Sequence, residues 1–303
     1  LKEKLLHLSQ QLQGEFYANQ LVKSLYATDA SVYRELPLAV ALPKTVKDIQ
    51  LLIQFCVENN TSLIPRAAGT SLAGQCVGDG IVVDISKYFT KIIQLKEEEK
   101  TVRLQPGVIR DDLNRYLKPY NLFFGPNTST SNRCMIGGMT GNNSSGTTSI
   151  KYGVTRDKIL EMKCLLSDGS EATFKALTAE EFQQKCRLST LEGKIYRELY
   201  ELLKPKEIQE EIHQKFPKGD IHRRNTGYAI DEIITTEIFS ENTQKLNICK
   251  LLAGSEGTLA FTTELTLQLD DLPPKYSALI AIPKVRSSSS NDRSLFVILL
   301  IIS

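Results

Sequence analysis

The sequence predicts an α+β fold, on three observations. Apolar residues at helical spacing from Val46 to Val57 sit between short apolar runs of strand type. Strand pairs with turn dipeptides recur further on. Between them, Gly125 to Tyr152 is packed with Gly, Asn, Ser and Thr. A compact domain rarely keeps so long a structureless segment unless it has work to do.

The elements follow in order. Lys2 to Tyr26 reads as a helical lead-in, with Leu5, Leu6, Leu8 and Leu12 on one face. Thr45 has the side chain of an N-cap, and Asn59-Asn60 ends the helix it opens. Ser62 to Pro65 is a short strand, Arg66 to Gly80 a glycine-rich loop and Ile81 to Ile85 a second strand. Ile92 to Leu95 and Val102 to Gln105 form a strand pair, with Pro106-Gly107 as a turn. Asp111 to Leu117 suits a helix and Leu122 to Phe124 a strand. Ile159 to Leu166 and Glu171 to Phe174 flank Asp168-Gly169, a hairpin dipeptide. Thr178 to Glu181 fits a capping box. Helices are expected over Leu191 to Leu203 and Lys206 to Lys215, and strands over Leu246 to Leu252 and Thr258 to Leu269.

Composition limits the function classes. The chain has 303 residues, 41% hydrophobic and 24% charged, enough for a large core. A net charge of +2 gives no reason to expect a nucleic-acid partner. The six cysteines are scattered without a CxxC pair, which suits reduced thiols and excludes iron–sulfur and zinc-knuckle spacing. No metal site is expected. The longest apolar run, Leu295 to Ile302, is far short of the ~20 residues of a membrane helix. A cytoplasmic location is expected, with peripheral contact to an inner membrane left open.

Three segments can carry chemistry. Pro65-Arg66-Ala67-Ala68-Gly69-Thr70-Ser71-Leu72-Ala73-Gly74 combines glycines, which turn backbone N–H groups onto an anion, with hydroxyl donors. Alone, it could equally be a plain strand connection. Pro126 to Ser131, Ile136-Gly137-Gly138 and Asn142 to Gly146 would let a planar ligand lie against backbone, or could be a polar linker. Gly254-Ser255-Glu256-Gly257-Thr258-Leu259 lies between two apolar runs, as a ligand-closing element or a tight turn.

In this order, at spacings of roughly 60 and 110 residues, the segments resemble the FAD-binding domain of p-cresol methylhydroxylase and vanillyl-alcohol oxidase. Among its members the sequence is most similar to D-lactate dehydrogenases and glycolate oxidase subunits. The first segment resembles that family's R-G-x-G-T-S-L-x-G loop. The second resembles its P-(D/N)…I-G-G…G stretch followed by Y-G-x-x-x-D, here Tyr152, Gly153 and Asp157. The third resembles its G-S-E-G-T-L-G element. The likeness covers about Leu36 to Leu269 and reaches Ser277 to Pro283, which looks like the first strand of a cap domain.

The resemblance implies a two-subdomain FAD-binding domain of the p-cresol-methylhydroxylase type over residues 36–270. A helical segment over 1–35 precedes it. Over 271–303 it implies the start of a truncated cap and an atypical hydrophobic tail. By the same resemblance Pro65, Arg66, Ala67, Ala68, Gly69, Thr70, Ser71, Leu72 and Gly74 hold the pyrophosphate. Pro126, Ser129, Ile136, Gly137, Gly138, Asn142, Asn143, Ser145, Gly146, Tyr152 and Gly153 lie along the ribityl chain and ring. Ile159 meets the adenine, and Glu256 and Gly257 close the site. Arg223 to Tyr228 resembles an (R/K)-N-x-x-G-Y element near the flavin, or is a basic surface turn. It offers Arg223, or its neighbour Arg224, and Tyr228 to a substrate.

The activity implied is oxidation of a D-2-hydroxy acid such as D-lactate or glycolate, with hydride passing to flavin N5 and electrons to a separate acceptor. The alternative is a flavin-binding module that needs a cap or partner subunit; a homo-oligomer also fits. Ala68 and Ala260 stand where the family often has glycine. No histidine lies in the first loop, so FAD is expected to bind without a covalent link. No residue is assigned as the catalytic base.

Overall fold

The computed structural model describes residues 1–218, 221, 224 and 227–273, and the backbone of Ala278–Ile282 and Phe296–Leu300. The chain divides into two compact units, Leu1–Asp270 and Asp271–Ser303. In the second, Ala278–Ile282 and Phe296–Leu300 pair antiparallel. The rest of the hydrophobic tail lies outside the described residues.

The first unit opens with α1 (Lys2–Gln11), β1 (Glu15–Tyr17), α2 (Gln20–Leu25) and β2 (Ala39–Leu42). Then come α3 (Val46–Glu58), β3 (Leu63–Arg66) and β4 (Ile81–Asp84). These strands form a four-stranded sheet in the order β1-β2-β4-β3, with β4 parallel to β2 and β3. Both inner strands are buried along their whole length, which is why they read as unbroken apolar runs. α3 lays Ile49, Leu52, Ile53 and Cys56 into the core beside them. Its start carries a complete capping box, Thr45 with Asp48.

The lead-in is not helical throughout. β1 pairs antiparallel with β2, Glu15 opposite Leu42 and Tyr17 opposite Val40. A strand of three residues has too few positions to show a period of two, so only the edge of β2 defines it.

The second half begins with β5 (Ile92–Lys96), β6 (Thr101–Leu104), α4 (Arg110–Leu117) and β7 (Leu122–Phe123). The Gly/Asn/Ser stretch that follows holds α5 (Ile136–Asn142) and α6 (Ser149–Tyr152). Next are β8 (Ile159–Leu165), β9 (Glu171–Lys175), α7 (Ala179–Cys186), α8 (Leu191–Leu203) and α9 (Lys206–Lys215). α10 (Ile230–Ile234), α11 (Cys249–Leu252) and β10 (Phe261–Gln268) complete the unit. Five strands make an antiparallel sheet in the order β5-β6-β10-β8-β9. Along β10 buried and half-buried residues alternate, the pattern of a strand with one face on a core. That core, with Leu113, Phe174, Phe182, Tyr196 and Leu246, is separate from the core of the first sheet. The unit is therefore α+β, its two larger sheets resting on separate main cores, with a small further cluster of Val40, Leu42 and Val82 on the first sheet.

Leu246–Leu252 is not a strand. Leu246 makes a single bridge to Leu177. Asn247 Oδ1 then accepts from Cys249 N at 2.9 Å and starts the turn of α11. An apolar run this short fits either period, and the Asx bond decides it.

Candidate functional site

The three small-residue segments meet in one place. They line a cavity of about 730 Å³ between the two sheets, within the ~300–1,000 Å³ usual for a bound organic ligand.

The first segment is the loop between the parallel strands β3 and β4. It turns twice through left-handed backbone, at Gly69 (φ +64°) and Gly74 (φ +78°). A side chain would be strained at either position and would also collide, at Gly69 with Arg66 and at Gly74 with the ring of Tyr33. Ala68 is not among the left-handed residues, so its departure from glycine costs no backbone strain.

The second segment packs against the first through α5. Gly137 donates to Pro106 O at 2.7 Å, and a Cβ there would lie 2.5 Å from the proline ring. A Cβ on Gly138 would come within 3.2 Å of Ala67. After α5 the buried Asn143 adopts φ +48°. Its Oδ1 accepts from Arg156 N at 2.8 Å.

The third segment is bonded to the second. Gly254 N donates to Thr140 O at 2.9 Å and Glu256 N to Gly141 O at 2.8 Å. Gly254, Glu256 and Gly257 all have positive φ, and a Cβ on Gly257 would lie 2.9 Å from Pro65. Gln75 Nε2 reaches Glu256 Oε1 at 3.1 Å, tying the first loop to this turn. The buried Arg156 supports the turn from behind, donating to Lys250 O at 2.9 Å and Ala253 O at 2.8 Å. Burial lowers its pKa, and the nearby Arg224 adds to the effect.

Of the sequence-predicted cofactor residues, Pro65 to Leu72, Ser129, Gly137, Gly138, Asn142, Ser145, Gly146, Glu256 and Gly257 line the cavity. Gly74, Pro126, Ile136, Asn143, Tyr152, Gly153 and Ile159 do not. Their places are structural. Pro126 O accepts from Arg110 Nε at 3.2 Å. Ile136, Asn143 and Ile159 are buried. Tyr152 packs edge-on against Phe123 at 4.9 Å. Gly153 takes φ +75° over the Asp157 carboxylate. Tyr228 OH meets Thr258 Oγ1 at 2.8 Å beside the third turn. Arg224 commits its guanidinium to Asp231 and Glu232. Arg223 and His222 lie outside the described residues.

The cavity wall also contains Asn127 and Thr128 from the second segment, and Pro106, Cys134, Thr140 and Thr262, which were not expected. Pro106 carried only a turn signal, and Thr262 is one of the half-buried positions that alternate along β10. Cys76 and Cys134 are neutral thiols. Burial pushes Cys76 up to about 11 and raises Cys134 as well. All six cysteines are free.

Chemically the wall is mixed, more apolar than polar, and nearly uncharged. Arg66 and Glu256 are its charged members. Arg66 stacks over Tyr26 at 5.2 Å, and its Nη1 faces Tyr26 O and Cys76 O at 3.4 and 3.5 Å. An anion at the loop would be held by N–H and hydroxyl donors more than by countercharge. Two buried polar atoms of wall residues have no protein partner, Thr140 Oγ1 and Gln75 Oε1. Such atoms cost free energy unless a ligand satisfies them. The size, donor set and glycine approaches fit a dinucleotide such as FAD. Among the described residues no helix is long and apolar enough to cross a membrane, and no cluster could hold a metal.

Comparison with known proteins agrees with this fit. A family described as FAD binding domain matches residues 37–175. The chain is 37% identical over 260 residues to D-2-hydroxyglutarate dehydrogenase of Escherichia coli (strain K12), covering 85% of this chain and 24% of that protein. It is 34% identical over 171 residues to glycolate oxidase subunit GlcD of Bacillus subtilis (strain 168), covering 56% and 36%. Among solved structures it resembles alkyldihydroxyacetonephosphate synthase, with a TM-score of 0.60 at 16% identity, covering 92% and 42%. That likeness is one of fold. The chain spans about a quarter of the length of the D-2-hydroxyglutarate dehydrogenases it matches.

Proposed function

We propose, from the premise that this chain carries an FAD-binding domain of the p-cresol-methylhydroxylase type, that it serves the oxidation of a D-2-hydroxy acid. The observation that carries this reading is the convergence of the three segments on one nearly uncharged cavity of mixed polar and apolar lining. Bound flavin would supply a two-electron acceptor, at N5, for the hydride leaving the hydroxy-acid Cα.

The chain's own part is to hold and orient. Ala67 to Leu72 would grip the pyrophosphate with N–H and hydroxyl donors. Gly137, Gly138, Asn142, Ser145 and Gly146 would flank the ribityl chain and ring, where side chains larger than these would obstruct the ligand. Glu256 and Gly257 would close the site. Support for the substrate class comes from the relatives. The match to D-2-hydroxyglutarate dehydrogenases runs over more of this chain than the match to the glycolate oxidase subunit. D-2-hydroxyglutarate is accordingly the first substrate to try, then D-lactate and glycolate.

A second reading is a flavin-binding module with no turnover of its own, which takes its substrate contacts from a cap or partner subunit. It is favoured by the two substrate candidates among the described residues, Arg224, which pairs with Asp231 and Glu232, and Tyr228: neither lines the cavity. One experiment separates the two. The purified chain is loaded with FAD and its visible spectrum followed without oxygen as each acid is added. Bleaching supports the oxidation reading. Lasting yellow colour leaves the module reading, and failure to take up FAD sinks both.

A further inference from the structure

The stretch from Tyr26 to Tyr33 precedes the matched domain, which begins at residue 37. It nonetheless touches the first loop at three points. The Tyr26 ring lies under the Arg66 guanidinium at 5.2 Å, and its hydroxyl donates to Asp84 Oδ2 at 2.6 Å. Asp29 Oδ2 accepts from Cys76 Sγ at 3.6 Å. Ser31 N donates to Asp29 Oδ1 at 2.8 Å and fixes the carboxylate in place. Tyr33 lays its ring against Gly74, so closely that a Cβ there would be 2.8 Å from it.

We propose that Tyr26 to Tyr33 forms the outer wall of the dinucleotide loop, with Asp29 and Tyr33 as positioning residues for the FAD pyrophosphate. The proposal rests on the FAD reading of the cavity. Asp29 and Tyr33 do not line that cavity; Asp29's partner Cys76 does, and Tyr33's partner Gly74 lies between Ala73 and Gln75, which also do. They act through the loop. Within the loop, Ser71 Oγ faces the N–H groups of Ala73 and Gln75 at 3.4 Å, so its orientation sets the turn leading to Gly74.

A general packing role does not account for this arrangement. Tyr33 is 58% exposed, so its ring is held at the surface against one left-handed glycine and contributes little to a core. A loop that must present several donors to one anion gains from being fixed in advance, because ordering it on binding costs affinity.

The test uses the full chain and the variants Asp29→Ala, Tyr33→Ala and Tyr33→Phe. FAD affinity is read from quenching of flavin fluorescence, and the melting temperature is read without FAD. Asp29→Ala and Tyr33→Ala should each weaken FAD binding about tenfold, the scale of one lost hydrogen bond or anchoring contact. The FAD-free melting temperature should hold. Tyr33→Phe should restore affinity, since the ring and not the hydroxyl meets Gly74. The proposal is overturned by alanine variants that bind FAD as the parent does. It is also overturned if melting falls in step with affinity and phenylalanine gives no rescue. A parent chain that fails to bind FAD would instead sink the cofactor reading beneath it.

Discussion

Gln75 and Glu256 stand 181 residues apart in the chain and meet in one hydrogen bond of 3.1 Å. Gln75 comes from the parallel-sheet half and Glu256 from the turn before β10, so their contact spans the cavity mouth. Around it the two halves already pack closely, the Gly257 backbone against the Pro65 ring and the Gly138 backbone against the Ala67 methyl.

The bond is exposed and joins two flexible side chains, which limits it to roughly 0.5–1 kcal/mol. Gln75→Ala should therefore leave urea stability within about 1 kcal/mol of the parent. FAD should dissociate a few times faster, because a mouth contact acts chiefly on release. Stopped-flow displacement of FAD measures the second effect. An unchanged release rate would remove the bond from the account of the site.

Much of this site was legible because its parts are local. Left-handed turns at Gly69 and Gly74 need glycine, and Thr45 with Asp48 announces the start of α3. What stayed hidden is tertiary. Glu256 takes φ +54° because its N–H is anchored on Gly141 O, a constraint with no trace in the residue itself. Thr140 reaches the wall only through the docking of α5, and Gln75 matters only because Glu256 is opposite. Asp29 and Tyr33 fell in a stretch read as a helical prelude, where no periodicity marks a contact with a distant loop. Conversely, Asn143 and Tyr152 carried the motif but serve the frame behind the cavity.

Acid should loosen the first sheet at its edge. Glu15 on β1 accepts from Tyr88 OH at 2.6 Å and Tyr17 OH at 2.8 Å, and pairs with Lys87. These bonds, that from Lys87 foremost, hold its carboxyl down at about 2, against an ordinary 4.5. A pKa depressed in the folded state means the stabilisation is complete above pH 4.5 and is lost as pH falls toward 2. Amide exchange of β1 should speed up over that window in the parent. In Glu15→Gln it should be faster at neutral pH already and change little on acidification. Parallel profiles for the two proteins would show that another group controls the edge.

Asp48 should be the costliest polar residue of the N-terminal half to remove. Its carboxylate is buried and accepts four backbone N–H groups. Oδ1 takes Gln13 at 2.9 Å, and Oδ2 takes Gly14, Lys44 and Thr45 at 3.1, 2.8 and 3.1 Å. It thus completes the cap of α3 and pins the chain between α1 and β1 to that cap. Asp48→Ala removes the cap and strands buried donors, so a loss of about 3 kcal/mol is expected. Asp48→Asn keeps one acceptor oxygen and should lose roughly half as much, since charge-assisted bonds are about twice as strong as neutral ones. Urea unfolding of the two variants reads both values. If alanine cost under about 1 kcal/mol, water would have to satisfy those donors as well as the carboxylate does, and the link from α1 to the first sheet would rest on Leu5 and Leu8 packing against α3 alone.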